Sequence, residues 1–269
     1  MSRSSVLLRV FAVLSIGSLS LSFLFRTQII QLIWKQRTQK VIKARKKIFI
    51  VDSKEKWREI SSVVCRDVAA VNILGFDCEW VHTNGKRKPV ALMQLATYSG
   101  YCVLIRLNCL QGDLPSTLQD ILKDRKIIKV GVSCGMDSSY LASDYGVNVR
   151  GWMDLRHLAV EDDLKICSFG LQSLAKHYLG KTLNKDWKLR SANWEAQTLT
   201  QQQVIYASED ALVGAHILLA QLKNLWKPSH SFNPAFFLGS WESSAREAIT
   251  EICQPYLEVI FSKFCNLFG

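Results

Sequence analysis

Not one acidic residue occurs in the first 51 positions, although that stretch holds ten of the chain's 34 Lys and Arg residues. After Val51 the basic and acidic side chains number 24 and 23, so the formal net charge of +11 is a property of the N-terminus. The overall basicity is therefore not the footprint of a nucleic-acid-binding globular face, and any such affinity has to come from local loops or bound metal. No two of the eight cysteines stand at the two-residue spacing used by zinc sites and redox motifs, and no Asn-x-Ser/Thr triplet occurs. These absences argue against a zinc module and against a secreted disulfide framework. Scattered thiols fit a reducing compartment, with most of them expected as small buried apolar residues. Internal repeats and low-complexity tracts are missing too. At 269 residues and 48% apolar composition, the chain reads as one globular domain with additions at its ends.

What the N-terminus does have is an uncharged run. Sixteen residues from Val10 to Phe25, rich in Leu, Val, Phe and Ser, lie between Arg9 and Arg26, and eight basic residues follow from Arg26 to Lys47. As a helix the run spans about 24 Å at 1.5 Å per residue, short of a hydrocarbon core unless Ser4 to Leu8 and snorkelling arginines extend it. The pattern predicts a single-pass membrane anchor over residues 1–34 and a basic linker over 35–47. The excess of cations on the C-terminal side keeps the folded part on the cytosolic face. A cleaved secretory signal, a mitochondrial presequence and a plain buried helix are the alternatives. A short anchor with a strongly basic flank suits the mitochondrial outer membrane first and the endoplasmic reticulum second.

Ile48 to Val51 reads as a strand, and Asp52 with Glu55 as a capping box opening a helix that runs to Val64. Strands are expected at Val71 to Trp80, Val90 to Thr97 and Tyr101 to Leu107, an antiparallel meander with Asn84-Gly85 supplying its first turn. A helix at Pro115 to Leu122, a strand at Ile127 to Val132, a helix at Asp137 to Tyr145 and a strand at Val147 to Met153 follow. Helices at Leu171 to Leu179 and Gln201 to Trp226 complete the pattern. The fold class is α/β, a ribonuclease-H-like mixed sheet flanked by helices over residues 48–227, with an N-terminal transmembrane helix.

Within this frame two carboxylates occupy a costly place. Asp77 and Glu79 end the apolar run Val71 to Phe76, and alternate strand residues share a face, so the two converge on one spot and oppose each other's ionisation. Hard oxygen ligands gathered at a strand end suit Mg²⁺ or Mn²⁺. Asp137 follows a second buried strand, where in isolation it reads equally as a helix N-cap. Tyr206 and Asp210 are four apart on the last long helix and share its face. Tyr140 and Asp144 repeat that spacing, and a surface helix face explains them. Four carboxylates offset two divalent cations, the device used for in-line attack of water on a phosphodiester. In this reading Asp77, Glu79, Asp137 and Asp210 are metal ligands, and Tyr206 orients the water.

These motifs resemble those of the DEDD superfamily of 3′–5′ exonucleases, in its tyrosine branch. Phe76-Asp77-Cys78-Glu79-Trp80 is similar to the first exonuclease motif, Val130-Gly131-Val132 leading to Asp137 to the second, and Tyr206 with Asp210 to the third. Leu92-Met93-Gln94-Leu95-Ala96 fits as well. Ser173-Leu174-Ala175 through Ser191-Ala192-Asn193-Trp194 to Tyr206 resembles the Werner-type and ribonuclease-D-like members. Cys78-Glu79-Trp80-Val81 after a membrane-directed N-terminus is most like the exonuclease 3′–5′ domain-containing protein 2 group. The histidine branch needs His five residues before Asp210, where this chain has Ile205. Glu209, beside Asp210, is expected to face solvent. The resemblance implies two divalent cations, Mg²⁺ or Mn²⁺, and release of nucleoside 5′-monophosphates from a single-stranded DNA or RNA 3′ end. A catalytically silent nucleic-acid-binding or scaffold protein at a membrane is the reading from a different class, and five intact site positions argue against it.

Contacts to the strand are expected from Lys86 and Arg87 in the turn after the first motif, and from Lys185, Arg190 and Trp194 before the third. Trp187 reads as core packing. After the Pro228 to Pro234 stretch, Ala245, Ile249, Ile252, Tyr256, Val259 and Ile260 trace one face of a C-terminal helix within residues 228–269. That helix either packs on the domain or serves self-association, giving a homo-oligomer.

Overall fold

A computed structural model of the chain describes residues 46–161, 168–184 and 186–225. The expected anchor, most of the basic linker and the C-terminal helix lie outside these residues, as does Lys185. Among the described residues, no helix is long and apolar enough to cross a membrane.

Six strands form one mixed sheet: β1 (Lys47–Val51), β2 (Ile73–Thr83), β3 (Lys86–Thr97), β4 (Tyr101–Arg106), β5 (Ile128–Gly131) and β6 (Trp152–Asp154), in the order β1-β4-β3-β2-β5-β6. β2, β3 and β4 are the expected antiparallel meander, while β1 pairs with β4, and β5 with β2 and β6, in parallel. Asn84 and Gly85 both have positive φ, 51° and 72°, the backbone that a two-residue hairpin turn requires. Helices α1 (Lys54–Val71), α2 (Leu107–Leu110), α3 (Ser116–Lys123), α4 (Cys134–Tyr145), α5 (Leu155–Glu161), α6 (Leu171–Leu179), α7 (Trp187–Arg190) and α8 (Gln201–Leu225) flank the sheet. The cap of α1 differs from expectation. Ser53, not Asp52, accepts the backbone N–H of Lys56, because a hydroxyl one residue closer to the helix reaches that donor, and Asp52 pairs instead with the Lys56 ammonium at 2.7 Å. The expected strand over Val147 to Met153 shrinks to Trp152–Asp154, since only these residues find ladder partners on β5.

The sheet has two buried faces. On one, Leu74, Phe76, Cys78, Met93, Leu95, Val103 and Ile105 pack with Trp57, Val64 and Val68 of α1, Leu118 and Leu122 of α3, and Leu141 of α4. The Trp57 indole N–H is satisfied by the Thr117 hydroxyl at 2.8 Å, so this large ring is buried without a stranded donor. On the other face, Leu92 and Leu104 meet Trp194, Tyr206 and Ala207, and Ala96 and Cys102 meet Ala211. Strand alternation puts Asp77 and Glu79 on this second face, under α8. Between β2 and β6, β5 buries Lys129 completely; its ammonium donates to the carbonyls of Asp124 and Ile127 at 2.7 and 2.9 Å, and burial pushes its pKa down to about 7.

Helix α8 lies almost on the backbone of β2. A Cβ at Gly75 would stand 1.7 Å from the Ala211 carbonyl oxygen, against ordinary contacts of 3.4–4 Å. Ala211 adjoins Asp210, and Gly75 precedes Asp77 by two, so this bare crossing brings the two acidic segments together. Gly75→Ala is expected to push α8 off the strand and to destabilise the domain by about 1–3 kcal/mol, the cost of overpacking a filled core. Urea denaturation checks this, and an unchanged midpoint would show that the helix tolerates the methyl group.

Candidate active site

Ligand oxygens of Asp77, Glu79 and Asp210 all lie within 4.8 Å of one another. Asp77 is partly exposed, whereas Glu79 and Asp210 are 8% and 5% exposed, so the cluster meets solvent at Asp77. β2 holds the first two by its alternation, and the ladder register is irregular immediately after Glu79, at Trp80 and His82. Such a bulge bends the strand where the acidic pair ends. Cys78, between the two carboxylates, points to the opposite face. Burial, followed by the charges of Asp137, Asp77 and Glu79, holds its thiol far above the usual range, so it stays protonated and apolar.

Asp137 stands beside this cluster and is 3% exposed. It is not an N-cap: it lies inside the first turn of α4, and the cap position belongs to Ser133, which has φ 63° and makes no side-chain cap bond. Burial and the adjacent Asp77 and Asp154 charges push the Asp137 pKa up to about 9. Without a cation, then, one member of the acidic group carries a proton at neutral pH. Tyr206, 6% exposed, shares a hydrogen bond with Asp210; burial first, and then the Asp210, Glu79 and Asp77 charges, raise its pKa far above the ordinary tyrosine value. All five residues singled out from the motifs are thus brought to one place.

Asp154 is a site neighbour that sequence reasoning missed. It ends β6, is 4% exposed, and accepts the Ser133 N–H at 2.8 Å and the Arg156 backbone and guanidinium N–H groups at 2.6–3.0 Å. It thereby fixes the left-handed residue that turns β5 into α4 and so aims Asp137. Its pKa is lowered, the Arg156 and Ser133 bonds outweighing burial. The signal was weak: Asp154 ends the short strand β6, and an isolated acid at that point looks like a turn.

Several expected strand contacts are corrected. Arg87 is committed elsewhere: its guanidinium grips the Asp144 carboxylate bidentately at 2.6 and 2.7 Å and sits over the Tyr140 ring at 4.0 Å. The Tyr140 and Asp144 pair, read as an ordinary surface face, is therefore a clamp that ties α4 to β3, with Asp144 also receiving the Val90 N–H. Trp194 is fully buried, 6.1 Å from the Tyr206 ring, and cannot stack on a base; Trp187, expected in the core, is 70% exposed. Spacing could not assign the two, because a short helix ending at Arg190 turns them to opposite environments. Lys86 and Arg190 are exposed as a strand contact requires. Glu209, rather than facing open solvent, pairs with Lys181 at 3.1 Å and is partly buried.

A mixed sheet whose mid-strand carboxylates on β2 meet an acid and a tyrosine from one long crossing helix defines a ribonuclease-H-like nuclease. The chain belongs to the 3′–5′ exonuclease family: residues 55–226 match its family model, DNA_pol_A_exo1. It is 43% identical over 191 residues to the human (Homo sapiens) exonuclease 3′–5′ domain-containing protein 2, covering 69% of this chain and 30% of that protein. The Drosophila melanogaster protein of the same name is 39% identical over 193 residues, 71% of this chain and 31% of that one. The Mus musculus bifunctional 3′–5′ exonuclease/ATP-dependent helicase WRN is 33% identical over 163 residues, 60% of this chain and 12% of that protein. A crystal structure of the EXD2 exonuclease domain soaked in Mn is 39% identical, covers 77% of this chain and 96% of that one, and superposes with a TM-score of 0.43. The chain spans about a third of the length of the curated relatives it matches.

The protonated Asp137 has a consequence for stability. In metal-free protein its folded pKa of about 9 exceeds the ordinary 3.8, so the contribution is fully present below about pH 3.8 and is lost as pH rises through 9. Asp137→Asn removes the titration. In EDTA the variant is expected to gain stability relative to wild type between pH 5 and pH 9, read as the difference of urea midpoints; a difference independent of pH would place the proton elsewhere.

Proposed function

We propose that the chain is a metal-dependent 3′–5′ exonuclease that hydrolyses the terminal phosphodiester of single-stranded nucleic acid and releases nucleoside 5′-monophosphates. The observation that carries this reading is the convergence of Asp77, Glu79 and Asp210 within 4.8 Å, with Asp137 beside them. The donor set fits hard divalent cations: all oxygen, with more negative charge than one buried spot sustains unaided. Two such ions, Mg²⁺ or Mn²⁺, supply charge neutralisation, water activation and stabilisation of the departing 3′-oxygen when bound. Asp77, Glu79 and Asp210 would hold them, with Asp137 beside these three as a further carboxylate ligand. Tyr206 remains a neutral phenol across the working pH range. With its own proton directed to Asp210, the phenol oxygen is left to accept a hydrogen bond from the attacking water and to orient it. The exposed Lys86 and Arg190 lie free to hold backbone phosphates, and Lys185 carries the same role from its sequence position.

The test is degradation of a 3′-labelled single strand with Mg²⁺ or Mn²⁺, using matched DNA and RNA so that the preferred polymer is read directly. Asp77→Ala combined with Glu79→Ala is expected to lose at least about 100-fold in rate, comparable to removing a principal electrostatic stabiliser, and EDTA is expected to stop the wild type. Equal degradation by variant and wild type would sink the enzyme reading.

Residues 1–34 are proposed as a single-pass anchor, with the nuclease domain facing the cytosol at the mitochondrial outer membrane, or else at the endoplasmic reticulum. Support comes from the uncharged run before eight basic residues. The protein is expected to resist carbonate extraction, and a C-terminal tag is expected to be digested by protease added to intact organelles. Release by carbonate, or a protected tag, counts against this topology.

A further inference from the structure

Gln94 is 0% exposed, and no protein group bonds either heteroatom of its amide. It sits in the middle of β3, where the ladder sets it directly opposite Asp77 on one side and Leu104 on the other. Residues paired across neighbouring strands share a face, so this amide lies on the carboxylate side of the sheet, beneath α8. Around it the face is built from Leu92, Leu104, Ala207 and Ala211. A buried amide without hydrogen bonds costs stability, and an apolar side chain of the same shape would be neutral or better. Neither core packing nor the strand ladder gives a reason for an amide here. Of its two cross-strand partners, the polar one is Asp77.

We propose that Gln94 is a positioning residue of the metal site, its amide N–H donating to the Asp77 carboxylate once divalent ions are bound. Resting on the metal-site reading above, this gives the amide a partner that is used in the loaded enzyme. A carboxylate that ligates a metal through one oxygen presents the other to a hydrogen-bond donor, and that outer bond fixes which lone pair faces the ion. Asp77 is the partly exposed member of its cluster. Gln94 approaches it from within the sheet, where the backbone ladder holds the donor's origin fixed.

Gln94→Met keeps the length and bulk of the side chain and removes the amide. Three measurements separate positioning from packing. Mn²⁺ affinity by calorimetry is expected to fall about 10–100-fold, as for removal of other outer partners of metal ligands. The thermal midpoint of the metal-free protein is expected to hold or rise. The turnover number is expected to fall at sub-saturating Mn²⁺ with KM for the oligonucleotide unchanged, and to recover as Mn²⁺ is raised. Wild type that binds no Mn²⁺ overturns the metal-site reading itself. Wild type that binds, with Gln94→Met binding equally well, overturns this inference alone. So does a variant with a lowered midpoint and unaltered Mn²⁺ affinity, the outcome expected if the amide instead bonds a buried water. Gln94→Leu is read in the same way, and failure of both variants to fold would also overturn the proposal by making the amide a structural requirement.

Discussion

Helix α8 can rest on β2 only because position 75 has no side chain. The Ala211 carbonyl occupies the volume that a Cβ would fill, and the close approach is maintained further along, where a Cβ on Gly214 would meet the Val130 carbonyl at 3.1 Å. Much of the site depends on this crossing. Asp210 and Tyr206 are carried in by the helix, and Asp77 and Glu79 by the strand. Neither pair alone makes a cation site, since two carboxylates on an isolated strand would be solvated or protonated.

The same closeness creates the electrostatic problem that the chemistry uses. Burial and the neighbouring Asp77 and Asp154 leave Asp137 holding a proton near neutrality, while Asp154 keeps its charge because Arg156 and the Ser133 N–H pay for it. Two acids within one cluster are thus pushed in opposite directions by their partners. A strained turn at Ser133 and an unbonded Gln94 amide both lie near the acidic cluster, and each costs folding stability. Concentrated local cost in an otherwise well-packed domain is what a preorganised site looks like.

Much of this was legible in the chain itself, for reasons that differ by residue. Asp77 and Glu79 stood out because charge ending an apolar strand is unusual, and Tyr206 with Asp210 because helical spacing aligns them. The meander and its Asn84-Gly85 turn follow from local backbone preference. Arg87, Trp187 and Trp194 were misplaced because a basic turn and interleaved aromatics look alike whether they face substrate or neighbouring helices. Arg87 found Asp144, 57 positions away, and Tyr140. Asp154 and Gln94 were passed over as sites because their meaning lies in what stands opposite them.

The sequence by itself determined most of the elements, though not the short helices Leu107–Leu110, Leu155–Glu161 and Trp187–Arg190, together with the five acidic and phenolic positions and the family to which the chain belongs, since these rest on short-range periodicity and motif order. Tertiary structure alone decided which acid holds a proton, which tryptophan meets solvent, which arginine is already spent on an ion pair and which amide lacks a partner. Those properties depend on burial and on contacts between residues far apart in the chain, and the energy of a charge or a hydrogen bond is set by its surroundings.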